Sequence, residues 1–180
     1  MSSLVDAVSV PDAVEPVVGW RAWGVDAATL GRWQAPTVSL CSIAFECQWP
    51  TGRPFTAECR KPVGKCLRSP ASNCRCGIYA VHSPTQVFQV VGYRGPLVLG
   101  HVALWGCVVV GRRGWRAQYA YPRRLFVVDE RGRDLGWVIG GLEAYGVPVC
   151  RMTRGELRHQ APTVATAPGW WRRLLDSLWV

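Results

Sequence analysis

The amino-acid sequence predicts an α+β fold: a mainly antiparallel, barrel-like sheet, a zinc-bound loop and a C-terminal amphipathic helix. Three observations carry that expectation. Stretches rich in β-branched and aromatic residues, punctuated by Gly- and Pro-containing turns, fill the middle of the chain. Four cysteines crowd into one turn-rich segment, and the last residues place apolar side chains at helical spacing. With 180 residues, 49% of them hydrophobic and 18% charged, the chain can bury a core and is not a disordered tail. Its ten tryptophans need a core or an interface to cover them.

Residues 1–17 hold two prolines, acidic side chains and no period, and read as a flexible arm or a segment that orders on a neighbour. A single domain is expected over 18–160, opening with a strand at 18–23. Residues 37–49 are β-rich and 50–54 form a turn. The chain then enters a cysteine-bearing loop over 59–76 and leaves it as a strand over 76–81. Ser83, Pro84 and Gln86 mark a helix start: Ser caps, Pro suits the first helical position, and Gln completes a capping box. Residues 98–110, 115–121 and 125–128 read as an antiparallel meander with turns at 111–114 and 122–124. In its second strand Trp115, Tyr119 and Tyr121 alternate with Arg116 and Gln118, which predicts one buried and one wet face. The glycines of 135–145 leave that stretch ambiguous between helix and strand. Residues 161–168 read as a linker. Apolar residues at 170, 171, 174, 175, 178 and 179 then predict a helix with one apolar stripe.

The cysteine pattern is Cys59-x6-Cys66-x7-Cys74-x-Cys76. Four thiolates within 18 residues can close a tetrahedral metal site, zinc being the expected ion, with reduced thiols, a disulfide or an iron–sulfur cluster as the alternatives. Pro62, Gly64, Pro70 and Asn73 suit a chain wrapping a point. Arg60, Lys61, Lys65, Arg68 and Arg75 would offset the charge of a thiolate centre. With all positions filled by protein, the metal would be structural. Cys47 and His82 are the substitute ligands. Cys41, Cys47, Cys107 and Cys150 are expected to pack as small hydrophobes, and His101 as a core histidine.

Formal net charge is +9, unevenly distributed. Residues 1–58 hold three arginines against six acids, a net of −3, so the remainder carries +12; 19 of the 21 basic residues are Arg. Arg112, Arg113, Arg116, Arg123, Arg124, Arg131 and Arg133, interleaved with aromatics, are the expected contacts to nucleic acid or a nucleoprotein. The stripe of Trp171, Leu174, Leu175, Leu178 and Trp179 is the expected protein-partner surface.

No Ser/His/Asp order, HExxH, phosphate-cradling glycine loop or dinucleotide fingerprint is present, so no catalytic residue is expected. The N-terminus lacks the basic and apolar regions of a secretory signal and no apolar stretch reaches bilayer length, so a cytoplasmic location is expected.

The segments at residues 19–23 (GWRAW), 74–80 (CRCGIYA), 100–106 (GHVALWG) and 115–122 (WRAQYAYP) resemble a family of small uncharacterised proteins of actinobacterial and phage type. The resemblance covers about residues 18–128. It implies counterparts for Cys59, Cys74 and Cys76, with His able to stand at the position of Cys66, and it brings no activity with it. The functional expectation is therefore a non-enzymatic, zinc-stabilised basic module for nucleic acid or a nucleoprotein complex. A regulatory or phage-type adaptor or inhibitor acting through the Trp-rich C-terminal helix is the alternative.

Overall fold

The computed structural model describes residues 7–10, 15–28, 37–88, 96–129, 132 and 134–160. Their elements are β1 (Ala7–Val10), β2 (Val17–Ala28), β3 (Thr37–Cys41), β4 (Phe55–Thr56), β5 (Ile78–Val81), α1 (Pro84–Phe88), β6 (Leu97–Gly111) and β7 (Gly114–Val128). They continue with α2 (Gly136–Leu142), a 3-10 turn (Glu143–Tyr145), β8 (Val149–Met152) and α3 (Arg154–Arg158). The result is mostly sheet with a few short helices. No helix among the described residues is long and apolar enough to cross a membrane.

The spine is the β6–β7 hairpin, paired from Leu97↔Val128 to Gly111↔Gly114. Each of its strands has 15 residues, dense in Val, Leu and aromatic side chains that suit a pleated surface. On its far edge β6 carries β2 over residues 97–104 and β1 over 106–109. The free edge of β7 carries β5, β4 and β8 in succession, opposite residues 114–117, 119–120 and 125–128. Among the described strands all pairings are antiparallel except β7–β8, and β3 completes the sheet on β2. The β2–β5 contact that would close a barrel is the single pair Trp20↔Val81, so the barrel is not a clear one.

One expectation needs correction. Residues 122–124 do not turn the chain. They form an irregularity where the register shifts from His101↔Arg124 to Val102↔Pro122, so the second and third meander strands are one. Proline is tolerated there because a bulge releases its missing N–H from the ladder. Residues 7–10, within the stretch read as a flexible arm or a segment that orders on a neighbour, pair with β6, whose outer edge would otherwise be unpaired beyond β2. Further along β7, beyond the alternating stretch 115–121, residues 125–128 are buried on both faces. Val98 and Val127 enter one apolar cluster with Trp23, Trp49 and Leu104, while Leu99, Phe126 and Val128 enter a second with Trp20 and Leu157. Alternation therefore separates two cores.

The ambiguous stretch 135–145 is α2 and its 3-10 turn, closed by Gly146 at φ 66°. Its glycines have different uses. An added Cβ at Gly141 would lie 2.2 Å from Cγ2 of Val38, so glycine lets the helix lie close on β3, whereas nothing lies within 4 Å of one at Gly140. At Gly100 the added Cβ would lie 2.2 Å from the Arg124 carbonyl oxygen, a backbone atom fixed by the β6–β7 ladder. Gly100→Ala is therefore expected to cost about 2–3 kcal/mol in chemical denaturation. Gly140→Ala should stabilise by about 0.5–1 kcal/mol, because it removes backbone freedom and meets open space.

Candidate metal centre

The loop between β4 and β5 is an excursion with both ends on one edge of β7. It departs where Thr56 faces Tyr119 and returns where Ile78 faces Ala117. Two residues of strand separate those points, about 7 Å. Just past the departure, the Ala57 N–H donates to Gln118 O at 2.8 Å. At the return, the Arg116 guanidinium on β7 donates to the Cys74 and Cys76 carbonyls, the latter at 2.9 Å. Gly77, at φ 122°, allows Pro70 and Arg116 to close over the chain: an added Cβ would lie 2.9 Å and 3.1 Å from their Cβ atoms. A stretch without periodic structure is thus held by its two ends.

This arrangement brings Cys59, Cys66, Cys74 and Cys76 together, with all four Sγ atoms within 4.8 Å of one another. The Cys59 and Cys74 sulfurs are 4.0 Å apart. A tetrahedral ion with metal–sulfur bonds of about 2.3 Å holds its sulfurs about 3.8 Å apart, so the cluster fits one ion with little contraction. All eight cysteines are free thiols. Cys59 and Cys74 are buried, at 9% and 8% exposure, and the other two are half-buried.

The backbone already favours thiolate at two of the positions. N–H groups of Cys66 and Lys61 aimed at the Cys59 sulfur lower its pKa, and the N–H of Cys76 is the largest cause of a Cys74 pKa lowered to about 6. Cys66, sharing hydrogen bonds with Cys74 first and then with the other two, is pushed up to about 12. Lys61 is raised above its ordinary value, chiefly by the Cys74 charge. Metal binding would displace the remaining protons, because thiolate is the ligand form.

The substitute ligands are not in the cluster. His82 stacks on Trp115, ring centroids 4.2 Å apart and 5° from parallel, and Cys47 lines a cleft beside the loop. Cys150 packs against the second apolar cluster, and the Cys107 thiol points at the Pro70 carbonyl at 3.7 Å. His101 sits edge-on to Trp20 at 4.2 Å, with its Nε2 lacking a hydrogen-bond partner.

The expected arginine patch separates. Arg112 and Arg113 are exposed at the β6–β7 turn, on one side of the point at Gln118 where the cysteine loop leaves and returns to β7. Arg116 is spent on the loop carbonyls and is an internal strut. Arg123 and Arg124 are exposed, but they lie ten residues further along β7, about 30 Å of strand, so the expected clustering at one end of the sheet does not occur. Arg131 and Arg133, and the stripe of Trp171, Leu174, Leu175, Leu178 and Trp179, lie outside the described residues.

Arg21 is a site residue that no sequence motif singles out. It lies on β2 at one wall of a cleft of about 920 Å³ between the cysteine loop and residues 42–47. Its guanidinium donates to Tyr79 O at 2.6 Å and Ser42 Oγ at 3.1 Å, and lies 5.0 Å from the Trp49 ring centre. Desolvation lowers its pKa to about 10, which leaves it charged at neutral pH. The available signal was a lone cation between Trp20 and Trp23 in a buried strand, where a charge needs a reason.

In protein stripped of metal by a chelator, iodoacetamide labelling at pH 7 with peptide mapping should find Cys74 alkylated first of the four and Cys66 last. The Cys74 rate should fall about tenfold between pH 7 and pH 5, as its low-lying thiolate takes up a proton. Equal labelling of all four would contradict the asymmetric cluster. Comparison of the chain with family models, with curated proteins and with solved structures gives no match.

Proposed function

We propose that the protein is a non-enzymatic, zinc-stabilised binding module for nucleic acid. The observation that carries this reading is the placement of exposed cations around the four-thiol loop. Lys61, Lys65, Arg68 and Arg75 are exposed on the loop, and Arg112, Arg113, Arg123 and Arg124 are exposed on the β6–β7 hairpin, one pair on each side of the loop's attachment to β7. Interspersed with the loop cations in sequence, Val63 and Leu67 stand 85% and 105% exposed, giving apolar contact area among the charges. Cations follow a phosphate backbone, and exposed apolar and aromatic side chains cover base faces.

Zinc is favoured over an iron–sulfur cluster by spacing. In a cluster the thiolates bind different irons and stand wider apart, whereas these four lie within 4.8 Å. Four protein ligands leave no open position for a reacting water, so the ion's role is to hold the loop. The chain's part is to keep the loop's cations outward while its carbonyls and sulfurs turn inward.

The test is the salt dependence of oligonucleotide binding, read by fluorescence anisotropy on labelled single strands. Affinity should fall steeply with salt. The Lys61/Lys65/Arg112/Arg113→Ala variant should flatten the log–log slope by about 3, roughly 0.7 for each phosphate it no longer neutralises. Binding insensitive to salt, or equally steep in the quadruple variant, would overturn the reading.

A further inference from the structure

The cleft beside the metal loop combines three features that no structural role in the sheet requires. It is large, about 920 Å³, and open between the loop and residues 42–47. Its cations are Arg21, Arg60, Lys61 and Arg75, against the Glu58 carboxylate and the metal-site sulfurs of Cys59, Cys74 and Cys76, which also line it. Two aromatic side chains on its wall stay exposed, Phe45 at 61% and Tyr79 at 46%.

Arg21 is the informative residue. No described carboxylate forms an ion pair with it, and its Nε finds no hydrogen-bond partner. A guanidinium has five N–H donors, and the described residues accept two of them, through Tyr79 O and Ser42 Oγ. A partly desolvated cation with donors to spare, at the wall of a cleft, is complementary to a phosphate or carboxylate. The lip of residues 42–47, which Arg21 reaches at Ser42, is built to stay in place. Ser42 N–H donates to Cys47 O, and Glu46 N–H to Ser42 O, both at 2.9 Å, with Glu46 at φ 49°. Arg60 crosses to this lip, its guanidinium 5.4 Å from the Phe45 ring centre. On the other side the Tyr79 hydroxyl donates to Arg75 O at 2.5 Å, which fixes that ring.

We infer that this cleft is a binding site for a nucleoside monophosphate unit, with the phosphate on Arg21 and the base against Phe45 and Tyr79. An anion alone would not use two exposed rings, and a base alone would leave the Arg21 charge unanswered. The inference rests on the nucleic-acid reading in that the occupant would be one nucleotide of a bound strand, but the cleft and the exposed cation surface are separate sets of residues apart from Lys61 and Arg75.

Isothermal titration of the full, metal-loaded chain tests it with three probes: adenosine 5′-monophosphate, inorganic phosphate and adenosine. The monophosphate should bind at least tenfold more tightly than either half, on the order of one well-made charged contact. Arg21→Gln should cost about tenfold or more for the monophosphate and abolish binding of phosphate. Phe45→Ala, at an exposed position where folding is not at risk, should weaken the monophosphate and adenosine about tenfold and leave phosphate unchanged. If Arg21→Gln fails to fold, Phe45→Ala still decides. Equal affinity for monophosphate and phosphate, or unchanged binding in folded Phe45→Ala, overturns the site. Arg112/Arg113→Ala should not alter monophosphate affinity. Oligonucleotide binding that persists without monophosphate binding overturns the cleft alone, and the reverse result overturns the exposed surface alone.

Discussion

The Arg116 guanidinium, donating to the carbonyls of Cys74 and Cys76, ties a loop with no periodic structure to the longest strand pair in the molecule. Converging four thiols fixes many backbone dihedrals, and few hydrogen bonds inside the loop repay that cost. The compensation comes from β7. One edge of this strand is held along its length by β6, and the other receives β5 and β4 on either side of the loop. Because the loop leaves and returns within two residues of strand, its closure is set by the sheet before any metal arrives. The ion then has only to contract a cluster whose sulfurs already lie within 4.8 Å.

The same geometry decides which charges face outward. Carbonyls of the cysteine segment point at Arg116, and backbone N–H groups point at the Cys59 and Cys74 sulfurs, so the inner side of the loop is occupied by its own chemistry. The lysines and arginines between the cysteines are left on the outside. Thiolates at the centre partly offset them, as the raised pKa of Lys61 reflects. A surface of this kind can be strongly basic without the self-repulsion that would open an unsupported loop. Arg21 stands apart, because it approaches the cleft from β2 and is positioned by Tyr79 and Ser42 from two further segments.

Local signals were legible in the sequence where the chemistry is local. The cysteine spacing, the turn residues between them and the strand expected over 76–81, found over 78–81, describe one continuous segment, and the structure brings those four thiols together. Ser83 and Gln86 likewise mark the start of α1, with Ser83 N–H donating to Gln86 Oε1 at 3.3 Å. What escaped depends on partners distant in sequence. Pro122 and two arginines read as a turn, yet pairing with β6 carries the strand through them as an irregularity. The glycines of α2 argue against a helix until Val38 is seen against Gly141. Arg116 reads as a surface cation from its alternation with aromatics, but carbonyls 40 and 42 residues away capture it. Arg21 carried no signal of its cleft, because the walls come from four separated segments.

Binding of one metal ion by the four thiolates of this loop is tested most directly by zinc-edge X-ray absorption on the purified chain. The expected result is one zinc per chain with four sulfur neighbours at about 2.3 Å and no light-atom ligand. A folded chain that contains no metal, or a zinc surrounded by nitrogen and oxygen, would contradict it.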